Sequence, residues 1–386
     1  MNKKKNILFL HSGAELYGAD KILIEVLKGL DKKKFFPLVI IPNKGPLEKE
    51  LKKYNIKFIV YDFPILRRQY FNVHGMIKYT SKFIRSMFYI KKVVKNNNID
   101  IISSNTLAVL EGAIFSKMFR KSHVWHIHEI IKEPKVMQLF YRKIVPNLSQ
   151  NVICVSNAVK KNLFTENNIN KANVRVIHNG INKNLTCSIN INEIKKNLQI
   201  DDKRIIVGMI GRINKIKGQS YMVDVTKELV KKYPDILIIM VGGVFEGQEQ
   251  LKIDLEEMIK KNNLQNNIMI FDFDQEVDKY YNIFDIFILP SIKPDSFPTV
   301  VLEAMSYGKP IIAHVTGGVN EMVEDRENGI LIYDINIENT YNAIQELVIN
   351  KELRKKYGIK SKEIMESKFS SEIFYKKINE FYSNMK

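Results

Sequence analysis

The sequence predicts an α/β protein made of two doubly wound domains in tandem. Three observations carry that prediction. Short, wholly apolar runs alternate with amphipathic stretches from the N-terminus onward, the pattern of parallel strands covered on both faces by helices. The alternation stops once, over 181–202, and then begins again. The length, 386 residues, suits two domains of ordinary size.

The first series opens with NILFLHS (6–12), an apolar strand, then a Gly-bearing loop and the helix ADKILIEVLKGL (19–30). FPLVIIP (36–42) and IKFIVYDF (56–63) are the next strands. A long helix covers 73–96, and IDIISSN (99–105) is a strand before a helix near 107–119. HVWHIHE (123–129) and NVICVS (151–156) are further strands. Segment 181–202 is polar, Asn-rich and without a clear strand, so it reads as the linker. The second series has strands at RIIVGMIG (204–211), DILIIMVGG (235–243), NIMIFDF (267–273), IFILPS (286–291) and KPIIAHV (309–315). Its helices include SYMVDVTKELVKKY (220–233) and EQLKIDLEEMIKKN (249–262), and the stretch 338–386 is helical and rich in Lys and Glu. Open α/β sheets bind ligands at the carboxyl ends of their strands. Two such domains facing each other would form a cleft, and that is where chemistry is expected.

Hydrophobic residues at 45% and charged residues at 26% exclude a disordered chain, a fibrous repeat and a disulfide-stapled mini-protein. The charge is lopsided. Residues 1–150 hold 28 Lys+Arg and 11 Asp+Glu, while residues 151–386 hold 32 and 31, for a net +18 over the chain. A one-sided field of this kind attracts nucleic acid, phosphorylated ligands or an anionic membrane. Cys154 and Cys187 form no CxxC pair, which suggests a reducing compartment. The apolar run Ile7 to Leu10 is too short for a signal peptide, and no stretch approaches a spanning helix. The expectation is a cytoplasmic protein, associated with the inner face of the cell membrane.

Segment 295–329 is the richest. It follows IFILPS, and Ser296-Phe297-Pro298-Thr299 opens a helix running to about Tyr307. A helix N-terminus offers free N–H groups and a positive dipole end to a phosphate. Asp295 stands before that helix and Glu303, eight residues on, lies two turns inside it. Glu303 is thus positioned to reach a ribose diol; the plainer alternative is a helix cap at 295 and a solvated glutamate at 303. In GMIGRINKIKGQS (208–220), Arg212 and Lys217 sit on a strand–loop–helix junction, where a forked guanidinium and a point charge fit a diphosphate. The loop HSGAELYGAD (11–20) carries Gly13 and Gly18 but neither GxGxxG nor a P-loop; it can still offer backbone N–H groups.

His126 and His128 lie two apart on a strand and share a face. Without a third and fourth ligand they make no metal site. His11, His74, His123, His178 and His314 show no functional arrangement. Asp272 and Asp274 form a DxD triplet at a strand end and are treated as a loop feature. On the helix 74–97, Met76, Thr80, Phe83, Met87, Ile90 and Val94 repeat at helical spacing, broadened by Ile77, Ile84 and Phe88. The simple reading is a sheet-covering face. The Lys and Arg residues among them, with Arg67, Arg68, Tyr70 and Phe71 just before, add a surface suited to anionic headgroups.

Taken together these segments resemble the retaining GT-B glycosyltransferases of family 4, the glycosyl transferases group 1. VICVSNAVKKNL (152–163) looks like the family's VSxxxxxxL segment, and VIHNGIN (176–182) resembles its NGxD turn, with Asn182 for Asp. GRINKIKG (211–218) matches GRxxxxKG. The run 295–331 matches the long donor-site motif, including Ala304, Gly308, Pro310, Gly317, Gly318, Glu321 and Gly329.

The resemblance implies two Rossmann-like domains facing across a cleft. Residues 1–185 would form the acceptor-side domain and 186–365 the nucleotide-sugar domain, with the C-terminal helix 366–386 packing back on the first. Arg212 and Lys217 would hold the donor diphosphate, with Gly13 beneath it. Glu303 would bind the ribose. Asp295 falls on the first carboxylate of Glu-x7-Glu, one methylene shorter, and would bind sugar hydroxyls. Backbone N–H groups of Phe297, Thr299 and Val300 would line the sugar phosphate; Pro298 has none to offer. His128 falls on the family's histidine near the donor sugar. The implied activity is a metal-independent hexosyl or N-acetylhexosaminyl transfer with no cofactor. Its donor is a UDP- or GDP-linked sugar and its acceptor a lipid-linked or polysaccharide glycan of the cell envelope. A sugar-nucleotide epimerase on the same scaffold is the nearest alternative. A basic nucleic-acid-binding protein is the alternative of another class, and nothing here resembles a nucleic-acid-binding motif.

Overall fold

A computed structural model describes residues 4–67, 70–182 and 190–385. Arg68, Cys187 and the expected domain boundary at 185 lie outside the described residues. The first series runs β1 (Lys5–His11), α1 (Gly18–Gly29), β2 (Phe35–Ile41), α2 (Leu47–Lys53), β3 (Lys57–Val60), α3 (Val73–Asn96), β4 (Ile101–Asn105), α4 (Leu110–Phe119), β5 (Ser122–Ile127), α5 (Lys135–Leu148), β6 (Asn151–Cys154), α6 (Asn157–Leu163) and β7 (Asn173–Val176). The second runs α7 (Ile191–Asn197), β8 (Ile206–Ile210), α8 (Gln219–Leu229), β9 (Leu237–Val241), α9 (Gln250–Lys261), β10 (Ile268–Phe271), α10 (Asp278–Ile283), β11 (Ile286–Leu289), α11 (Thr299–Ser306), β12 (Ile311–His314), β13 (Gly329–Ile332), α12 (Ile337–Ile349) and α13 (Lys351–Lys368). Helix α14 (Ser371–Ser383) is the last element among the described residues.

Each series forms one parallel sheet, ordered β3-β2-β1-β4-β5-β6-β7 and β10-β9-β8-β11-β12-β13. Strand order reverses at β1/β4 in one and at β8/β11 in the other, and ligands of open α/β sheets settle beside such switch points. Strands such as β4, β9 and β11 are buried along their whole length, as the apolar runs require.

The chain divides into two compact units, one reaching Gly180 and resuming at Ser371, the other Ile181–Ser370. The sequence placed the return at 366, but only α14 returns. Helix α13 stays with the second unit because Gly358 packs on the carbonyl of Gly308, where a Cβ would collide. Helix α14 docks on α1: Asn379 donates to the Gly29 carbonyl at 2.7 Å and Tyr375 to Glu25 at 2.5 Å, while Phe374, Ile378 and Tyr382 are buried.

Some expectations miss. The sequence reading named neither β7 nor β13. Strand β7 alternates exposed and half-buried residues at a sheet edge, so its apolar signal is diluted. Strand β13 begins at Gly329, whose Cα lies so close to the Ile311 carbonyl that no Cβ fits. Within the expected linker, α7 forms because the Asn190 side chain caps it, accepting from Asn192 N at 3.2 Å. The apolar stripe on α3 is only half covered. Ile90 and Val94 are buried, but Met76, Ile77, Thr80, Ile84 and Phe88 are exposed. Among the described residues no helix is long and apolar enough to cross a membrane.

Candidate functional site

In the second unit the loops after β8 and β11 meet at the switch point. The first, 211–218, is anchored by its backbone: Gly211 N donates to Val241 O and Ile213 N to Gly243 O, both at 2.9 Å. Gln219 holds its inner side, donating to Arg212 O at 3.0 Å. Arg212 lays its guanidinium over the Phe245 ring at 3.6 Å, a stacking that orients the fork. Gly218 adopts φ +86°, and a Cβ there would run into the Pro290 carbonyl. The glycine therefore lets the loop lie against the end of β11.

That approach delivers Lys217 to Asp295. The two form an ion pair across 78 residues of sequence, both only partly exposed. Asp295 is held by its own backbone, whose carbonyl accepts from Gly318 N at 2.9 Å and leaves no room for a Cβ on Gly317. It does not cap α11, which starts at Thr299 after Pro298. The N–H groups of Thr299 and Val300 lie in the first turn, with no i−4 carbonyl of the helix to meet them, and both residues are partly exposed. Phe297 is buried with its ring against Phe369; its side chain belongs to the core, so only its backbone can serve a ligand.

Glu303 is not a freely solvated helix residue. Tyr281 donates to its Oε2 at 2.8 Å and stacks on Tyr307, with ring planes 10° apart. Burial, then the Glu303 charge, pushes the Tyr281 phenol well above its usual range, so it stays a donor. Sequence reasoning missed Tyr281, because nothing in its spacing links α10 to α11.

In the first unit, register decides the site. His11 pairs with Asn105, and Asn105 with His126, across the carboxyl ends of β1, β4 and β5. Asn105 Nδ2 donates to His11 Nδ1 at 2.8 Å, which leaves the His11 proton on Nε2, donated to Asp20. The Asn105 oxygen accepts from His128 Nε2 at 2.9 Å. One buried polar chain, Asp20–His11–Asn105–His128, thus fixes the His128 tautomer and presents Nδ1 as an acceptor. Burial, then the neighbouring His126 and His11, holds His128 well below the usual imidazole range, so it is neutral. The sequence saw no arrangement for His11, and the sheet supplies one. His126 faces His128 with centroids 4.3 Å apart.

Glu129, which follows His128 in the sequence, is pinned by Leu107 N at 3.2 Å and His128 N at 3.1 Å, and burial pushes its carboxyl up to about 7. Gly13 lies on the loop after β1, but the Glu15 carboxylate fills the space its Cβ would take. A phosphate there needs that side chain to swing aside. A polar hollow of about 280 Å³ opens at the ends of β1–β3, lined by Glu15, Asn43, Asp62, Arg67 and Lys82 among others. Asp272 and Asp274 are each paired with a lysine, Lys252 at 2.6 Å and Lys279 at 2.5 Å. Among the described residues no three His, Cys, Asp or Glu side chains stand ready for a metal. Arg212, Lys217, Asp295, Phe297, Thr299, Val300 and Glu303 therefore belong to the second unit, and Gly13 and His128 to the first.

Two cations, a helix start and a tyrosine-held carboxylate thus gather at the switch point of the second sheet, and comparison with known proteins gives the class of the chain. The family model for glycosyl transferases group 1 matches residues 190–364, and that for glycosyltransferase family 4 matches 17–185. An uncharacterized glycosyltransferase of Methanocaldococcus jannaschii is 28% identical over 94% of both chains. The capsular polysaccharide biosynthesis glycosyltransferase CapM of Staphylococcus aureus is 24% identical over 66% of this chain and 67% of its own. The Anabaena HepE structure in complex with UDP and glucose superposes with a TM-score of 0.82 at 24% identity, covering 98% of this chain and 99% of that one. The chain belongs to the GT-B glycosyltransferases of family 4, glycosyl transferases group 1.

Proposed function

We propose that this glycosyltransferase moves a hexosyl or N-acetylhexosaminyl group, with retention, from a UDP- or GDP-linked sugar to a lipid-linked or polysaccharide acceptor of a cell-surface glycan. One observation carries the donor half: Arg212, Lys217 and the first turn of α11 converge at the switch point of the second sheet. Cleaving the anomeric C–O bond builds negative charge on the diphosphate. Arg212, Lys217 and the Thr299 and Val300 N–H groups are fixed in advance to stabilise it. No step of this transfer is routed through a metal ion, and no cofactor takes part. Glu303, held by Tyr281, takes the ribose diol, and Asp295 takes sugar hydroxyls once a donor shares Lys217. His128, neutral and fixed in tautomer, is assigned to a hydroxyl of the transferred sugar. The capsular role of CapM supports the glycan class, and the UDP complexes of HepE support a uridine donor. The basic first 150 residues and the exposed apolar side chains of α3 support work at the inner face of an anionic membrane.

The test is binding and slow hydrolysis of a nucleotide-sugar panel with EDTA present. One donor is expected to bind and be hydrolysed, and Glu303→Ala and Lys217→Ala to weaken it about ten- to a hundred-fold, the size of a lost charge-assisted hydrogen bond. Activity abolished by EDTA, or no donor bound, overturns the donor site. Interconversion of the donor with its epimer, without transfer, favours the epimerase.

A further inference from the structure

The first unit holds a second, larger cavity, about 670 Å³ in volume, within the ~300–1,000 Å³ range of small-molecule sites. Its walls are mostly apolar. Leu66, Phe71, Leu107, Met137 and Tyr141 line it, with the Glu129 carboxylate at one side. The segments that build it follow β3, β4 and β5 and include the start of α5, at the carboxyl edge of the sheet, the edge where such sheets take ligands.

The cavity is preformed. Leu66 N donates to Ala108 O at 2.9 Å and closes one loop on another. The Asn162 side chain grips Ile131 twice, at 3.1 Å each, and holds the loop after β5. Glu129 is fixed by its two backbone donors, which leaves lone pairs for a hydroxyl. Glu133 is the other carboxylate of the lining. These two acidic side chains, with no lysine or arginine among the described lining residues, disfavour a phosphate inside the cavity. They suit a chain whose head is neutral and carries hydroxyls.

We infer that this cavity is the acceptor site for an aliphatic chain, taking the apolar part of a neutral, hydroxyl-bearing amphiphile with a hydroxyl on Glu129. The inference rests on the reading of the chain as a sugar transferase and narrows its acceptor. It also explains why Phe71 and Val136, both lining residues, are left exposed at 55% and 75%: they form a mouth that the bound chain covers.

The full-length protein is titrated calorimetrically with glucose and with hexyl, octyl and decyl β-D-glucoside below their micelle concentrations, and UDP and GDP are titrated in parallel. Affinity is expected to rise about three- to four-fold per methylene, the equivalent of ~0.8 kcal/mol per buried CH₂, with glucose itself too weak to detect. Two cavity-filling variants, Met137→Trp and Ala108→Phe, are expected to flatten that dependence while nucleotide affinity and melting temperature hold. Should one fold poorly, the other decides. Glu129→Gln keeps the chain-length dependence. With the donor found above, octyl glucoside is expected to be glycosylated and the filled variants to lose this while still hydrolysing donor. Affinity independent of chain length, or unchanged in both filled variants, overturns the cavity. Donor hydrolysis without transfer to any alkyl glucoside overturns its acceptor role. Failure of all donor hydrolysis marks instead the failure of the underlying transferase reading.

Discussion

Glu111 is buried on α4 with Tyr79 of α3 as its hydrogen-bond partner, and burial pushes its carboxyl up to about 8. A folded pKa above the unfolded 4.5 means that the native state holds a proton the unfolded chain releases. The stability from that proton is complete below pH 4.5 and is lost as pH rises towards 8. Glu111→Gln, which cannot ionise, removes this slope. Unfolding curves from pH 4.5 to 9 are expected to show the two proteins alike at the acid end. Wild type should then fall behind by about 1.4 kcal/mol per pH unit until pH 8. A difference that does not move with pH would refute the buried neutral carboxyl. Residues of this kind were the least legible in the sequence. Glu111, Tyr281 and His11 are ordinary at their positions, and their roles come from partners 32, 22 and 94 residues away.

Elements carry the next constraint. Glycines 18 and 218 both stand where a loop enters a helix, yet their surroundings differ. Gly218 has φ +86° and the Pro290 carbonyl against it, whereas a Cβ on Gly18 would meet nothing within 4 Å. Gly218→Ala is expected to destabilise by more than about 1 kcal/mol and to weaken nucleotide binding, because it pushes the Lys217 loop off the end of β11. Gly18→Ala is expected to leave stability level or raise it by about 0.4–1 kcal/mol, since it only restricts the unfolded chain. Thermal melts of the two variants decide, and equal losses would show that the close approach to Pro290 is not what Gly218 serves. The GRINKIKG motif was plain in the sequence, but the carbonyl it must clear was not. The α3 stripe shows the converse, because helical spacing marks a face as apolar without saying what covers it.

Over the whole molecule the charge asymmetry and the bare apolar residues of α3 point the same way. Exposed Met76, Ile77 and Phe88 sit among Lys78, Arg85 and Lys92, a combination that favours anionic interfaces. Binding to phosphatidylglycerol vesicles is expected and should weaken as salt rises, because surface attraction is screened. Replacing both Ile77 and Phe88 with Ser is expected to weaken it about tenfold or more at fixed salt. Sedimentation with vesicles reads both effects. Equal binding to neutral vesicles, or indifference to salt, would remove the membrane from the proposal.

The sequence by itself determined the fold class and the two series of strands and helices. It could do so because apolar runs, helical spacing and glycine positions are local properties of the chain. Only the tertiary structure decided that Lys217 meets Asp295, that Tyr281 holds Glu303, and that Asp20, His11, Asn105 and His128 form one chain. It also decided that α14 alone returns to the first unit and that a cavity opens beside Glu129. Strand register and helix docking bring together residues that the chain keeps far apart. Those distances depend on how whole sheets and helices pack, which no window of sequence contains.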